Sequence, residues 1–532
     1  MNGAGSLDVR DGAPPPAVTS PSDSRGWGIW SIVGIGVAAV LAAAAWLPFV
    51  DVPLSPDESG FLLLAQHWSP GSSLYGSYWV DRPPLLLGLF SLAAHLGPAG
   101  HSAAGLTAPS VKLLGAVASG LAVLLAGVVA HVVSPGRRWT RRITVVGAVA
   151  VLSNPLLGMP ETNGEVLAVP FVLIGVVCLI VSMRRGWGRH AFLLTAGAGS
   201  AAMCAALVKQ NVIDVFVFAL IVLVASRGRL SRPGTRIGVF LGASGTVLAG
   251  VLGAAALRGT TPAGLWDAIV VFRLQASAVI HASASEATSE RMSHLALASL
   301  ASGAVVLLVV AALGAVSTLR NHRTGSPLGR IGAPGDLHRA WSWGALGMTL
   351  WELCGVAIGG SYWLHYLTGL VPGMLLLLVL VPPTRRWRRS LGICLSYVVV
   401  ASAVLWVQHV TSPVTVSDDA RVVTYLRGHA ESRDGVVVAF GHPEIVAGSG
   451  LSSPYEYLWS LPVRVRDPAL QELSGIMTSS GSPRWVVVDG DSLDSWGLDA
   501  TTAQGLFQQH YVEVVIYGEW HIWQHRAGRA DR

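Results

Sequence analysis

Charged side chains are scarce in this sequence. They make up 12% of its 532 residues, whereas soluble proteins carry about 25%. A soluble chain of this length could not cover its surface with so little charge, so an ordinary cytosolic enzyme, a disordered chain and a fibrous repeat are excluded together. Hydrophobic residues reach 52% and the mean hydropathy is +0.54, which indicates a multi-pass helical membrane protein.

Cysteine and lysine are also rare. The four cysteines lie in apolar runs and show no CxxC or Cys/His spacing, so a disulfide framework or a zinc site of that kind is not expected. Only two of the 36 basic residues, Lys112 and Lys209, are lysine. Together with the richness in Ala and Gly, this bias is typical of a high-GC bacterium such as an actinobacterium.

Basic charge is concentrated in five arginine clusters, which begin at Arg137, Arg184, Arg227, Arg320 and Arg385. Each cluster lies in a short loop between apolar runs, and the positive-inside rule places such loops in the cytoplasm. This rule explains the basic charge better than nucleic-acid binding does. With residues 1–26 as a disordered cytoplasmic tail, the clusters predict eleven spans in the plasma membrane. The spans are 27–49, 108–133, 143–159, 165–183, 191–208, 211–226, 237–257, 294–317, 341–359, 363–382 and 390–409.

The first outer loop, residues 51–107, is predicted to contain two surface helices, Glu58–Trp68 and Pro84–Gly97. The second is apolar but shorter than the ~20 residues that a span requires. Six basic residues then lie on the outer side, against the topological bias. They are Arg82, Lys112, Lys209, Arg258, Arg273 and Arg291. An anionic ligand would explain them, and so would chance or contact with phospholipid headgroups.

Residues 411–532 form a different kind of segment, with 15 acidic against 9 basic residues. Its alternating patterns predict a small extracytoplasmic α/β domain after the membrane domain of residues 27–410. The expected strands are Gly435–Gly441, Arg484–Asp489, Tyr511–Tyr517 and Trp520–His525, and the expected helices are Asp418–Glu431, Asp467–Ser480 and Thr501–His510. The tail has no GxGxxG motif and no P-loop, so nucleotide binding is not supported.

Acidic residues on the outer face are few, which makes each one informative. Asp57 and Glu58 open the first surface helix, and Glu161 and Glu165 lie in the next outer loop. N-terminal capping would account for the first pair, and complementing a helix dipole would account for Glu165. A carboxylate at the membrane surface can also act as a general base on an acceptor hydroxyl.

Several other polar residues are candidates for substrate contact. Arg82 precedes Pro83–Pro84 and can hold a phosphate through paired hydrogen bonds. Lys209 can supply a second phosphate contact, although a pair with Asp214 or headgroup contact is an alternative. His365 and Tyr366 lie at the outer start of a predicted helix. Glu352 lies within a predicted span, where an ionisable residue is a functional candidate by default.

The run SPDESGFLLLAQHW…YGSYWVDRPPLLLGLF resembles the first-loop signature of the GT-C class of membrane glycosyltransferases. The nearest branch is the family 39 type, with the protein O-mannosyltransferases and the aminoarabinose-to-lipid-A transferases. Its Asp-Glu pair corresponds to Asp57 and Glu58, and its basic residue before Pro-Pro, usually lysine, corresponds to Arg82. NGEVLAVPF, LVKQ and HYLTGLVPGMLLLL are similar to later family segments, which adds Glu165, Lys209, Gln210, His365 and Tyr366.

This resemblance implies sugar transfer from a polyprenyl-phosphate donor to an envelope glycan, lipid or protein on the outer face. Asp57 would be the general base, Arg82 and Lys209 would bind the donor phosphate, and attack opposite the phosphate would invert the anomeric centre. Glu58 and Glu165 would orient the acceptor or His365, or bind a divalent cation such as Mg²⁺ or Mn²⁺ together with Asp57.

Two other kinds of protein fit part of the sequence. A transporter or flippase of a polyprenyl-linked substrate would also be polytopic, but no internal repeat is visible and the candidates lie at the outer face instead of the midplane. A non-catalytic envelope-assembly protein would leave the Asp-Glu and Arg-Pro-Pro motif unexplained. The sequence specifies neither the sugar nor the acceptor.

Overall fold

The computed structural model describes residues 29–228, 230–282, 286–323, 335–413 and 415–526. The series of helices before the tail begins with α1 (Ile29–Ala44), α2 (Pro56–His67), α3 (Pro84–Leu96), α4 (Pro109–Val133), α5 (Arg138–Leu152), α6 (Gly164–Met183), α7 (Arg189–Val208) and α8 (Asp214–Ser226). It continues with α9 (Pro233–Ala256), α10 (Pro262–Trp266), α11 (Phe272–Ala282), α12 (Glu286–Ala301), α13 (Ala304–Arg323), α14 (Gly335–Ile358), α15 (Val371–Leu380) and α16 (Arg385–Thr411). The expected tail at residues 1–26 lies outside the described residues.

The helices confirm a polytopic helical membrane protein. Seven described helical segments are long and apolar enough to span a bilayer, or eight if the bent pair Thr288–Ala301 and Ala304–Arg320 is one span. Six of the seven, and the bent pair, coincide with proposed spans. The other proposed spans, at 143–159, 211–226, 341–359 and 363–382, also contain helices, but these fall short of the same length and hydropathy criteria.

The seventh long segment, Pro262–Ile280, was not among the proposed spans. A π-helical turn, Asp267–Val271, joins α10 to α11 within it. Arg466 of the tail forms an ion pair with Asp267 at 2.5 Å, and the ring of Phe272 contacts that of Trp79 in the first loop. This segment therefore packs against the parts of the chain that we predict to be extracytoplasmic.

Helices are present at both predicted positions in the first loop. Ser55 caps α2 in a capping box with Glu58, and Pro56 occupies the first helical turn, where its missing N–H is not needed. Pro84 starts α3 in the same way. The loop also contains a short antiparallel hairpin, β1 (Gly100–Ser102) with β2 (Gly105–Thr107).

The tail folds as an α/β layer domain, as the sequence predicted. Its elements are α17 (Asp418–His429), β3 (Val436–Ala439), α18 (Pro443–Ser449), α19 (Ser460–Arg466), α20 (Gln471–Thr478), β4 (Trp485–Asp489), α21 (Thr501–His510), β5 (Tyr511–Tyr517) and β6 (Trp520–His525). The sheet order is β3-β4-β6-β5, with β3 and β4 parallel and the other pairs antiparallel. Helices α18 and α19 were not predicted.

The tail is docked on the first loop by main-chain and side-chain contacts. The amide of Trp79 donates to the carbonyl of Glu456 at 3.1 Å, and His101 lies 2.9 Å from the carbonyl of Gly448. Helix α18 packs directly on α2. The first loop and the tail thus share one packed interface, and α2 lies within it.

Candidate functional site

The Asp-Glu pair of the first loop divides into two different environments. Glu58 is fully buried, and Lys112 donates to both of its carboxylate oxygens at 2.8 and 2.6 Å. The amides of Thr162 and Ser55 also donate to Glu58, at 2.8 and 3.0 Å. With its acceptor positions occupied, Glu58 fits the capping and packing alternative better than a catalytic role.

Asp57, by contrast, lies half-buried at the start of α2 with a free carboxylate edge. Its Oδ1 accepts a hydrogen bond of 2.9 Å from the indole nitrogen of Trp459, in the tail. Among the described residues, no lysine or arginine forms an ion pair with Asp57. Gly60, one turn along α2, makes the contact possible, because a Cβ there would lie 2.4 Å from the Trp459 ring.

Arg82 lies beside Asp81 and is one of two arginines on that carboxylate. Arg82 Nη1 donates to Asp81 Oδ1 at 2.9 Å, and Arg273 Nη2 lies 2.6 Å from Asp81 Oδ2. Two guanidinium groups share this one carboxylate, so Asp81 alone cannot neutralise both of them. The Nε of Arg273 is also buried and has no hydrogen-bond partner in the described part of the chain. This arrangement can accept an anionic group.

The field around Arg82 links the first-loop residues to the second acidic loop. Burial alone would lower the pKa of Arg82, but the carboxylates of Asp81, Asp57 and Glu165 and the hydroxyl of Tyr366 raise that pKa above its ordinary value. The guanidinium therefore stays charged. Its interaction with Asp57 and Glu165 shows that α2, α3 and α6 bring these candidates to one region.

Glu165 is held by a lysine and a histidine. Lys209 Nζ forms an ion pair with Glu165 Oε1, which is the observed pairing instead of the alternative with Asp214. Lys209 also lies 4.7 Å from the ring centre of Tyr366. His365 bridges the two acids of the loop, with Nε2 4.0 Å from Glu165 and Nδ1 3.5 Å from Glu161.

A glycine allows His365 to reach this position. Gly158 has φ 106°, in the region that favours glycine, and a Cβ there would lie 2.8 Å from the backbone of His365. Gln210 joins the two halves of the region, because its Nε2 donates to the carbonyl of Asp81 at 3.0 Å. The structure thus brings together the predicted candidates from the first loop, α6, α7 and the segment before α15.

Glu352 lies apart from the other candidates. Its Oε1 accepts a hydrogen bond from the amide of Gly373 at 2.9 Å, and its buried Oε2 has no hydrogen-bond partner in the described part of the chain. Glu352 thus joins α14 to α15, and this contact does not reach the outer candidates.

The residues that could hold a metal ion lie in the tail. In the part of the chain that the structure describes, Asp57, Glu58 and Glu165 are not among the groups whose ligand atoms lie close together. Within the described residues, such a group is Asp419, His442 and Glu444 of the tail, whose ligand atoms all lie within 4.8 Å of one another. In the predicted set, Lys112 pairs with Glu58 and Lys209 pairs with Glu165, so a cation held by Asp57, Glu58 and Glu165 stays a prediction.

Three residues of the site were missed from the sequence. Arg273 was noted as an outward-facing base, and that signal could have identified it. Asp81 directly precedes Arg82 in the sequence, and that neighbourhood could have identified it. Trp459 carried no signal, because it lies 402 residues from Asp57 in the chain.

No protein-family model matches the chain, and no curated protein matches it. Solved structures of similar fold are GT-C glycosyltransferases. ArnT from Cupriavidus metallidurans, solved with undecaprenyl phosphate, is 11% identical with a TM-score of 0.47, over 94% of this chain and 99% of that chain. The Archaeoglobus fulgidus oligosaccharyltransferase, solved with Zn and sulfate, is 11% identical with a TM-score of 0.49, over 86% of this chain and 68% of that chain.

A third structure of similar fold is the arabinosyltransferase EmbB from Mycobacterium smegmatis. It is 14% identical with a TM-score of 0.43, over 81% of this chain and 35% of that chain. The identities are 14% or less and all three TM-scores are below 0.5, so the roles of residues in this chain rest on the contacts described above.

Proposed function

We propose that this chain is a membrane glycosyltransferase of the GT-C type. It moves a sugar from a polyprenyl-phosphate donor to an acceptor on the extracytoplasmic face of the plasma membrane. The observation that carries the proposal is that Asp57 lies within electrostatic reach of the charged Arg82. Asp57 itself accepts a hydrogen bond from Trp459 and, among the described residues, forms no ion pair with a lysine or arginine. A base and a phosphate-binding cation are the two groups that such a transfer needs.

The donor phosphate binds at Arg82 and Arg273. Their shared carboxylate, Asp81, cannot neutralise both guanidinium groups, and the unpartnered Nε of Arg273 is a further donor. Lys209 is neutralised by Glu165, so it contributes less to phosphate binding than the sequence suggested. As the bond from the anomeric carbon to the phosphate oxygen breaks, the phosphate keeps the electron pair, and the fixed positive charge stabilises it.

Asp57 is the general base. The acceptor oxygen attacks the anomeric carbon opposite the leaving phosphate, so the configuration at that carbon inverts, and the hydroxyl proton passes to Asp57. The indole of Trp459 fixes one carboxylate oxygen and leaves the other for the acceptor. Glu161, Glu165 and His365 form a second polar wall that orients the acceptor or the sugar.

Residues 411–532 form the extracytoplasmic domain that closes the site. The domain contributes Trp459 and packs on α2, so it completes the environment of Asp57. Incubating the purified full chain with a panel of polyprenyl-phosphate sugars tests the proposal. Release of polyprenyl phosphate with sugar transfer supports it, and failure to consume any donor in the panel contradicts it.

A further inference from the structure

The tail contains a cluster of metal-ligating side chains that is separate from the proposed catalytic residues. Asp419 in α17, His442 just before α18 and Glu444 in α18 place one ligand atom each within 4.8 Å of the others. His442 Nδ1 lies 2.8 Å from Glu444 Oε1. These separations are close to those between ligands around a single ion with bonds of about 2.0–2.2 Å.

The cluster has an excess of negative charge. Within the described residues, neither Asp419 nor Glu444 forms an ion pair with a lysine or arginine, and Asp489 lies close enough for its charge to act on His442. Glu444 Oε2 is buried and has no hydrogen-bond partner in the same part of the chain. A buried carboxylate oxygen without a partner is costly, so the arrangement is incomplete as it stands.

The position of the cluster in the sheet is a second, independent observation. Strands β3 and β4 are parallel, His442 follows the carboxyl end of β3, and Asp489 is the last residue of β4. Ligands of open α/β sheets bind outside the carboxyl ends of parallel strands. Asp419 and Glu444 also lie in first helical turns, where each could complement a dipole, but this does not explain their convergence on His442.

We propose that Asp419, His442 and Glu444 bind a divalent transition-metal ion, with Zn²⁺ the best match. One imidazole and two carboxylates suit zinc, and three protein ligands leave a position for water. Mg²⁺ is a poorer match because it prefers oxygen ligands alone. The indole of Trp520 donates to Asp419 Oδ1 at 2.6 Å, an outer hydrogen bond of the kind that orients a metal ligand.

The ion would brace the tail on the first loop. It would tie α17, the first helix of the tail, to α18, which packs on α2. Pro443 is so close to α2 that its Cβ would lie 3.0 Å from a Cβ placed on Gly60. The metal is therefore structural, and its binding does not depend on sugar transfer.

Metal content of the full-length, tag-free protein in detergent tests this site. After treatment with a chelator, addition of Zn²⁺ and gel filtration, we expect one zinc ion per chain, retained in excess Mg²⁺. Asp419→Asn and His442→Ala should lose this ion. Asp418→Asn and His429→Ala, which alter neighbouring residues of α17 outside the cluster, should keep it.

Two results would overturn the proposal. One is a wild-type protein that retains no zinc. The other is zinc retained equally by Asp419→Asn and His442→Ala, which would indicate adventitious binding at other histidines. Because a variant can fail to fold, Co²⁺ is also added to the wild-type protein. A visible absorption band that one equivalent of Zn²⁺ abolishes supports the site, and no band contradicts it.

Discussion

The indole nitrogen of Trp459 donates a hydrogen bond of 2.9 Å to Oδ1 of Asp57. The contact joins the tail to the first helix of the outer loop, across 402 residues of chain. The ring of Trp459 also lies against Phe61, with centroids 5.6 Å apart. The tail therefore takes part in positioning the proposed base.

Replacing Trp459 with Phe should lower kcat while leaving KM for the donor unchanged. Phe keeps the packing on Phe61 but removes the N–H that fixes Asp57. A hydrogen bond to a charged group contributes about 1.5–3 kcal/mol, which corresponds to a loss of about tenfold or more in rate. Steady-state kinetics would measure it. Trp496→Phe, also in the tail, is the control. Equal kcat values for the wild type, Trp459→Phe and Trp496→Phe would show that Trp459 does not position Asp57.

Replacing Arg82 or Arg273 with Ala should weaken donor binding. Each guanidinium supplies charge and hydrogen bonds to the phosphate, and losing one costs roughly 1.5–3 kcal/mol, or about 10- to 100-fold in Kd. Arg82→Lys should lose less than Arg82→Ala because it keeps the charge.

Binding of a polyprenyl-phosphate to the protein in detergent measures this effect. Arg258→Ala is the matched control, because Arg258 faces Trp68 and Ser91 in the same outer region. Unchanged affinity in both the Arg82 and Arg273 variants would show that the phosphate binds elsewhere.

Replacing Lys112 with Met should lower thermal stability strongly. Glu58 and Lys112 are both buried, and removing one partner of such a pair costs about 3–5 kcal/mol, because the other charge is left uncompensated. The double variant Glu58→Leu with Lys112→Met should be more stable than Lys112→Met alone.

Activity of the double variant separates the two roles of Glu58. If Glu58 is structural, the folded fraction of the double variant should transfer sugar at a rate close to that of the wild type. If the double variant regains the melting temperature of the wild type but transfers no sugar, Glu58 takes part in the reaction.

A cysteine at Leu92 tests the surface-helix prediction. Leu92 lies on α3 and is 52% exposed. In a background without Cys178, Cys204, Cys354 and Cys394, Leu92→Cys should react with an impermeant maleimide added outside the cell. Arg227→Cys, in a loop predicted to be cytoplasmic, should not. If residue 92 is labelled only after the membrane is permeabilised, the prediction that α3 lies on the outer side is wrong.

Local patterns explain what the sequence could predict. The Ser-Pro-Asp-Glu run contains its own capping box, so the start of α2 follows from four neighbouring residues. Three of the four strands of the tail are valine-rich, and all four lie near their predicted limits. Helices α18 and α19 were missed because each has only seven residues.

Long-range pairing explains what could not be predicted. Glu58 finds Lys112 across 54 residues and Asp81 finds Arg273 across the membrane domain. The sequence supplies the charges but not their partners, so it grouped Glu58 with Asp57 because they are adjacent. Packing then separated them, with one in the protein interior and one at the site.

The most direct test of the proposed transfer compares Asp57→Asn with the wild type on a polyprenyl-phosphate sugar that the wild type consumes. Asp51→Asn is the control, since Asp51 is an exposed acid of the same loop. Loss of a general base should slow transfer by about 10²- to 10⁴-fold, while donor binding and membrane insertion remain. Release of polyprenyl phosphate by Asp57→Asn at the wild-type rate would contradict the assignment of the base.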